Sequence, residues 1–395
     1  MMFRSVVVAV LAMAALVACN RHKVKDVDAP TKLTELRDSA KIDRLWQASV
    51  GGDKPLLRLG LGLGIEGEHV FASAHDGDIA AFAVSDGRAL WRTHTKLPLS
   101  GGTGAGAGLV VAGSADGVVV ALKSADGTAL WRSKVGGEIL SAPAVTEKIV
   151  VVRTVDGRLH ALSASDGKEI WRDEQQIPRL TLRGAASPVI AGDAVYCGFD
   201  NGKVLAFSLA DGAKLWEATV SPPRGRTELE RLVDIDSAVH VVGEDVLAVG
   251  YQGRVAMLAK DSGQVWWSRD ASSYRGLDVD EDGVLIASST GQLLMLNRRT
   301  GTELWHNDSL LRRRLSAPLL VGDLAAVVDF DGVLHWFDRR SGAAVARDKI
   351  GDSVSTAPLL SGGALILITD KGRIQAFKPA ERRVTAAAPA PATQP

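Results

Sequence analysis

The fold of this chain is decided by a stretch that reads DGVVVALKSADGTALW and occupies residues 116–131. Its apolar residues Val118, Val120 and Leu122 recur at every second position, which is the period of a β-strand. The Asp-Gly pair that follows indicates a tight turn, because glycine adopts a positive φ at no steric cost. A second strand then begins before Trp131. The stretch therefore predicts a β-hairpin, which needs further strands to be stable in water.

The same pattern returns along the chain at intervals of about 40 residues. Its first half, a glycine turn followed by a short apolar strand, occurs eight times. Its second half ends at an aromatic position that is occupied by Trp91, Trp131, Trp171, Trp216, Trp267, Trp305 and, as alanine, Ala346. The missing eighth copy lies at the other end of the chain, at Trp46. A period of this length is typical of a four-stranded propeller blade.

These repeats predict an all-β chain folded as an eight-bladed β-propeller of four-stranded blades. The last repeat lacks its outer strand, and we expect the N-terminal strand around Trp46 to close that blade. Closure into a ring leaves only short, protected sheet edges. The alternative is an open β-solenoid, which needs capping units at both ends. The repeat that is split between the two ends of the chain argues against the solenoid.

The sequence divides into four segments. Residues 1–18 read as a lipoprotein signal peptide, because a short basic start precedes an apolar run that is too short to span a bilayer. Residues 19–42 are polar and of mixed charge, as expected for a lipidated tether. Residues 43–378 contain the propeller repeats. Residues 379–395 are rich in alanine and proline, and we expect a disordered tail there.

The signal peptide ends in the sequence Leu16-Val17-Ala18-Cys19, which resembles the bacterial lipobox. The resemblance implies that Cys19 receives lipid and becomes the mature N-terminus. Ordinary cleavage after a small residue is the alternative. Several acyl chains make a stable anchor, whereas one chain is marginal. The next residue is Asn20. In bacterial lipoproteins an Asp at this position favours retention in the inner membrane, so the resemblance implies that this chain is anchored at the periplasmic face of the outer membrane.

Charge and cysteine content exclude several classes of function. The chain has 46 basic and 46 acidic residues, so nothing suggests a nucleic-acid partner. Besides Cys19, the only cysteine is Cys197, which lies in a predicted strand and is expected to be buried and inert. No cysteine and histidine set has metal-ligand spacing. The basic run at residues 312–314 lies in a connection between blades, where we expect a solvated loop.

The repeat resembles the unit of quinoprotein dehydrogenase propellers, which bind pyrroloquinoline quinone. The residues that the two repeats share are an Ala-Leu or Ala-Phe pair, a glycine turn and a Leu-Trp pair. All of these positions support the fold and none takes part in catalysis. That resemblance implies adjacent cysteines, a calcium site and a catalytic Asp, but the chain has no Cys-Cys pair and is much shorter. We therefore expect no enzyme, no catalytic or metal-binding residue and no cofactor. A quinone- or ligand-binding periplasmic propeller is retained as the alternative.

A lipoprotein signal joined to eight such repeats resembles the BamB family of the outer-membrane β-barrel assembly complex. The most specific matches are LTLRG at residues 180–184 and TELERLVDID at residues 227–236. The resemblance implies a non-catalytic scaffold that binds the periplasmic repeats of BamA and assists insertion of β-barrel proteins. Unfolded outer-membrane proteins are implied as potential clients. The partner-binding positions carried over, which we call the partner patch, are Leu180, Leu182, Arg183, Asp234 and Asp236.

The spacing of the repeats points to the same two segments. Trp171 and Trp216 are 45 residues apart, and Trp216 and Trp267 are 51 apart, so both units exceed the common length. The surplus falls in loops between blades, where recognition residues usually lie. An apolar centre with a charged rim suits a protein interface. In the alternative interpretation, both leucines tuck under their own loop and Arg183 pairs with Asp234 or Asp236 internally.

Overall fold

The computed structural model of the chain describes residues 28–36, 40–51, 61–182, 184 and 186–380. The predicted signal peptide, Cys19, Arg183 and nearly all of the predicted tail lie outside these residues. The described residues form 32 strands, arranged as eight four-stranded antiparallel sheets. None of them forms a helix that is long and apolar enough to cross a membrane.

The strands follow one another in chain order within each blade. β1 (Ile42–Ser49) belongs to the last blade. Blade 1 contains β2 (Gly64–Glu66), β3 (His69–Ser73), β4 (Asp78–Ala83) and β5 (Ala89–His94). Blade 2 contains β6 (Leu99–Gly106), β7 (Leu109–Ser114), β8 (Val118–Lys123) and β9 (Ala129–Lys134). Blade 3 contains β10 (Ala144–Val145), β11 (Ile149–Arg153), β12 (Arg158–Ser163) and β13 (Glu169–Glu174). Blade 4 contains β14 (Val189–Ala191), β15 (Ala194–Gly198), β16 (Lys203–Ser208) and β17 (Lys214–Thr219).

The second half of the ring repeats this arrangement. Blade 5 contains β18 (His240–Val242), β19 (Asp245–Val249), β20 (Arg254–Ala259) and β21 (Val265–Asp270). Blade 6 contains β22 (Leu277–Val279), β23 (Gly283–Ala287), β24 (Leu293–Asn297) and β25 (Glu303–Asn307). Blade 7 contains β26 (Leu319–Val321), β27 (Leu324–Val328), β28 (Val333–Asp338) and β29 (Ala344–Lys349). Blade 8 contains β30 (Leu359–Ser361), β31 (Ala364–Ile368), β32 (Arg373–Pro379) and β1.

The first strands of neighbouring blades contact one another, so they surround the centre of the ring. Because each blade is an antiparallel meander, its connections alternate between two faces. One face carries the loops between blades and the turns between second and third strands, and we call it the connection face. The other carries the remaining hairpin turns, and we call it the hairpin face.

The N-terminal strand closes the ring, as the split repeat predicted. β1 pairs with β32 along its length, with Trp46 opposite Ala376 and Ile42 opposite Pro379. Trp46 is buried in the cluster that joins the last blade to blade 1. The eight-bladed propeller is therefore confirmed, including the blade that the two ends of the chain share.

The repeated tryptophans connect each blade to the next. The indole N–H of each donates to a backbone carbonyl in the third-to-fourth strand turn of the following blade, at 2.7–2.9 Å. The ring also covers the glycine of that turn: a Cβ added at Gly167 would lie 2.5 Å from the ring of Trp131. The pattern of glycine turn and Leu-Trp therefore describes the two halves of one contact between blades.

The seventh blade departs from this pattern where the chain requires it. The turn that its tryptophan would cover does not exist in blade 8, because β32 and β1 come from opposite ends of the chain. Ala346 stands at the tryptophan position, and the residue opposite it on the neighbouring strand is Trp336, which is fully buried. In blade 2 the same cross-strand pair is Ala121 with Trp131. The large and small partners are exchanged, so the interior stays filled.

Most of the described part of the predicted tether, namely residues 28–36 and 40, lies against blades 6 and 7, and we call these residues the strap. The Thr31 N–H donates to the Leu311 carbonyl at 3.0 Å, and Leu33 packs on the buried cluster around Trp305. At its other end the Ala40 N–H donates to the Val345 carbonyl at 2.6 Å. The strap therefore runs along the outer wall of the ring before β1 begins.

Candidate functional site

Two neighbouring connections are longer than most of the others, and both lie on the connection face. One joins β13 to β14, between blades 3 and 4, and the other joins β17 to β18, between blades 4 and 5. They contain the two segments of the partner patch. Because the loops leave opposite sides of the same blade, the fold brings residues more than 50 positions apart in sequence into contact.

The contact between the loops runs through both predicted carboxylates. The Leu182 N–H donates a hydrogen bond to the Asp234 carboxylate. Gly184 lies directly against Asp236, since a Cβ at this glycine would be 2.8 Å from the carboxyl carbon. A side chain at position 184 would therefore push the loops apart. Leu182 is thus hydrogen-bonded to Asp234, and Gly184 packs against Asp236. Arg183 lies outside the described residues.

The partner-patch residues differ widely in exposure. Leu180 is 41% exposed, whereas Leu182 is partly buried. Asp234 is completely buried, and Asp236 is largely shielded. The sequence suggested a charged rim around an apolar centre, but the structure places the carboxylates beneath the loop. The reason is that the segment around residue 234 runs inward to the next inner strand, below the Leu182 backbone.

A buried ion pair lies under the loops and was not anticipated from the sequence. The guanidinium of Arg153 donates to Asp200 at 2.6 Å and to the Gly198 carbonyl at 2.9 Å. It also lies 4.9 Å from the centre of the Phe199 ring. Arg153 ends a strand and Asp200 occupies a turn, so each has an ordinary place in its own repeat. No local sequence pattern indicates that neighbouring blades pair them.

Burial changes the protonation of the two patch carboxylates. Loss of hydration raises the pKa of Asp234 to about 7, against the opposing hydrogen bond from Leu182. It also raises the pKa of Asp236 to about 8, and the nearby charges of Asp234 and Asp200 act in the same direction. Shielded Oδ1 atoms of both residues accept no hydrogen bond from any described residue. Near neutral pH this pair therefore carries less negative charge than two ordinary carboxylates.

The central opening of the ring forms a cavity of about 620 Å³ next to the loops. Its lining includes Leu182, Asp236, Tyr251, Tyr274 and Arg275. Arg275 is held in place, because its guanidinium donates to the Ser355 carbonyl at 2.6 Å and lies over the Tyr274 ring. The mouth of the cavity is thus an aromatic and polar surface that continues the patch toward the axis.

The quinone and calcium site of quinoproteins does not fit this chain. The sequence has no adjacent cysteines, and Cys197 lies buried in β15 rather than in the cavity lining. Within the described ranges, no three His, Cys, Asp or Glu side chains come together as a metal site would require. Burial raises the pKa of the Cys197 thiol to about 11, which keeps it protonated and unreactive at neutral pH.

Comparison with known families identifies relatives over nearly the whole chain. The family model described as "Outer membrane protein assembly factor BamB" matches residues 75–307 and 289–385. The BamB protein of Pseudomonas aeruginosa is 44% identical over 371 residues, which cover 93% of this chain and 97% of the relative. That of Alkalilimnicola ehrlichii is 45% identical over 376 residues, covering 95% and 97% respectively.

Solved structures give the same fold. The crystal structure of BamB from Moraxella catarrhalis superposes with a TM-score of 0.79 at 24% identity, covering 86% of this chain and all of the other. A quinohemoprotein alcohol dehydrogenase from Pseudomonas putida superposes with a TM-score of 0.67 at 12% identity, covering 93% and 80%. Both likenesses are below 25% identity and show a shared propeller fold alone. On the family model and the identities over nearly the whole length, the chain belongs to the BamB family of outer-membrane protein assembly factors.

Proposed function

We propose that this chain is a non-catalytic scaffold lipoprotein of the outer-membrane β-barrel assembly complex. It binds the periplasmic repeats of BamA and assists the assembly and insertion of β-barrel proteins. Cys19 carries the lipid that holds the chain at the periplasmic face of the outer membrane. Membership of the BamB family supports the assembly role, and the arrangement of the two long loops supports the binding site.

The observation that carries the binding proposal is the contact between Leu182 and Asp234. It ties a loop with an exposed leucine, Leu180, to the neighbouring loop, in which Asp234 is buried. A loop that is already fixed loses little conformational entropy when a partner binds, which favours affinity. Leu180 is therefore the apolar side chain that contacts the partner directly, and Arg183, three residues later, adds a positive charge. Asp234 and Asp236 act from beneath by positioning the loop.

The test compares partner affinity with stability in the same variants. Leu180→Ala is expected to weaken binding to the isolated BamA periplasmic repeats by about 2 kcal/mol, the typical effect of truncating an interface anchor. Its denaturation midpoint should stay nearly constant, because the side chain is exposed. Leu304→Ala is the matched control, since this leucine is 56% exposed on the outer strand of blade 6.

The outcome separates a binding role from a structural one. Retained affinity in Leu180→Ala would place the partner surface elsewhere on the ring. Arg183→Glu should weaken binding more than Arg183→Ala, because it adds a negative charge that an acidic partner surface would repel. An equal loss of affinity and stability in the Arg183 variants would instead make this residue part of the fold.

A further inference from the structure

The strap fixes the place at which the N-terminal segment reaches the ring. Two arginines hold its backbone carbonyls: Arg313 donates to Thr31 at 3.1 Å, and Arg347 donates to Thr34. Arg313 is itself buried and paired with Asp329 at 2.7 Å and Asp331 at 2.6 Å. A buried, fully paired arginine is a rigid support. The strap is therefore seated on the ring over its described residues.

The first described residues of the strap lie on the connection face. They contact the loop between β25 and β26, through Leu311 and Arg313. The last strap residue contacts Val345, near the start of β29 and hence toward the hairpin face. The chain thus arrives at the ring on the same face that carries the partner patch.

The surface beside this arrival point is basic and partly apolar. We call Leu311, Arg312, Arg314 and Phe330 the headgroup surface. With Asp28 and Pro30 of the strap they border a cavity of about 820 Å³. Arg312 and Arg314 are both exposed, and Phe330 is 37% exposed. Cations beside an exposed aromatic ring suit the interface between phospholipid headgroups and acyl chains.

The two arginines are presented outward by an unusual backbone. Arg312 has a φ of 62° and Arg314 a φ of 46°, in the left-handed region that residues other than glycine seldom occupy. Arg313 lies between them and turns inward to its two aspartates. Among the described residues, the Arg314 guanidinium has no hydrogen-bond or ion-pair partner, whereas that of Arg312 forms a long, exposed ion pair with Asp28 at 3.9 Å. Because both arginines are exposed, a further anion can reach their guanidinium groups.

The length of the preceding segment keeps this surface near the membrane. Nine residues lead from Cys19 to Asp28, and an extended chain covers at most about 3.5 Å per residue, so the separation is at most about 30 Å. Those residues include Arg21, Lys23 and Lys25, and their positive charge exceeds that of the two acidic residues, Asp26 and Asp28, by one. Clusters of basic residues next to a membrane anchor bind anionic lipids through their combined charge.

We propose that the headgroup surface binds the anionic phospholipid headgroups of the membrane to which the chain is anchored. The contact turns the connection face, and with it the partner patch, toward that membrane. This inference rests on the lipid attachment at Cys19 proposed above. It adds a second, protein-borne attachment that fixes the orientation of the ring, which a single attachment point at Cys19 does not.

The experiment measures how a protein that carries no covalently attached lipid binds to phospholipid vesicles. The mature chain carrying Cys19→Ser is sedimented with vesicles of phosphatidylethanolamine and phosphatidylglycerol, or of phosphatidylcholine alone. We expect binding to the anionic vesicles only, weakening as salt is added. The double variant Arg312→Ala, Arg314→Ala should reduce the partition coefficient about 25-fold, since each charge near an anionic surface contributes about fivefold.

A matched control removes two arginines, and hence an equal positive charge, from the opposite face of the ring. Arg88 and Arg340 are exposed in turns of the hairpin face, and Arg88→Ala, Arg340→Ala should leave vesicle binding nearly unchanged. An equal loss in both double variants would overturn the proposal, because it would show attraction by net charge alone. Absence of wild-type binding to anionic vesicles would also overturn it. Thermal unfolding of each variant verifies that the ring is intact.

A competition arm distinguishes a lipid from a free anion. Inorganic phosphate should displace the protein no better than chloride at equal ionic strength. Stronger displacement by phosphate would overturn the lipid assignment in favour of a site for soluble phosphate. Because the assay contains neither BamA nor a protein-linked lipid, failure of the headgroup surface would leave the proposed anchoring and partner binding untouched.

Discussion

At the scale of single residues, the contact between Trp131 and Gly167 shows why the repeat contains both a tryptophan and a glycine. Gly167 has a φ of 71° and lies directly under the indole ring of the preceding blade. Glycine is required twice at this place, once for the backbone conformation and once for the absence of a Cβ. The remaining tryptophans in the repeat position meet a glycine in the same way.

This double requirement can be measured by comparing two glycines. Gly167→Ala should destabilise the ring by about 3 kcal/mol, the sum of a left-handed alanine and an overpacked contact. Gly192 has a φ of 63°, but no atom lies within 4 Å of an added Cβ. Gly192→Ala should therefore cost only about 1 kcal/mol. Denaturant unfolding of both variants gives the difference, and equal midpoints would contradict the steric role of the ring.

The buried carboxylates of the partner patch predict how stability depends on pH. Burial raises the pKa of Asp234 to about 7 and that of Asp236 to about 8, above the unfolded value of 3.8. The folded chain therefore retains protons that the unfolded chain releases. The contribution of these groups to stability is complete below about pH 4 and is lost as pH rises through 7 and 8.

Asp236→Asn should remove part of this dependence. Between pH 5 and pH 9 its unfolding midpoint should fall less steeply than that of the wild type, because the amide does not ionise. Asp270→Asn provides the control, since that carboxylate is 90% exposed. If the wild type and Asp236→Asn show parallel pH profiles, Asp236 does not hold a proton in the folded state.

At the scale of secondary structure, β1 is the element on which ring closure depends. Its Trp46 is 7% exposed, donates to the Val84 carbonyl at 2.7 Å and covers Gly87 of blade 1. One side chain therefore joins the last blade to the first. The bond between these blades is the same as at the other tryptophan junctions, although its strand comes from the opposite end of the chain.

Trp46→Ala is expected to destabilise the ring by about 3–5 kcal/mol, as removal of a large buried aromatic usually does. Trp266→Ala is a suitable comparison, because that ring is 54% exposed on an outer strand and should contribute little. Deletion of residues 20–46 should lower stability further, since it also leaves β32 without its partner. Thermal unfolding of the three variants measures these effects, and unchanged unfolding of Trp46→Ala and of the deletion would refute closure by β1.

At the scale of the whole molecule, the strap connects the ring to the segment that we propose carries the lipid. Its described residues begin nine positions after Cys19 and are held by Arg313 and Arg347. The residues that stabilise the ring are thus distinct from the one proposed to carry lipid. Loss of the lipid should consequently change the location of the protein and leave its fold unchanged.

Cys19→Ser, exported through an exchanged cleavable signal, should reduce the fraction of the protein held on membranes to what its protein contacts retain, without shifting its thermal unfolding. Fractionation of cells and unfolding of the purified variant are measured together. Full retention in the outer-membrane fraction would mean that protein contacts hold the chain there, among them the partner patch and the headgroup surface. Combining Cys19→Ser with Leu180→Ala would then identify the contribution of the patch.

The amino-acid sequence by itself determined the ring. Each repeat contains the residues that form its own turns, its strands and its contact with the next blade. The number of blades and the split last blade therefore follow from local patterns such as the one ending at Trp131. The two long loops were also visible, because their extra length interrupts a regular period. These features are set by residues close together in the chain, where alternation and turn chemistry act directly.

Only the tertiary structure decided what lies inside the loops and along the wall. Asp234 is buried because the backbone of Leu182, 52 residues away, covers it. Arg153 meets Asp200 across 47 positions in the sequence, and Thr31 of the strap meets Arg313 across 282. Whether a polar side chain becomes buried depends on which remote segment the fold places over it. Local periodicity carries no information about that choice, because it is made by the packing of separate blades.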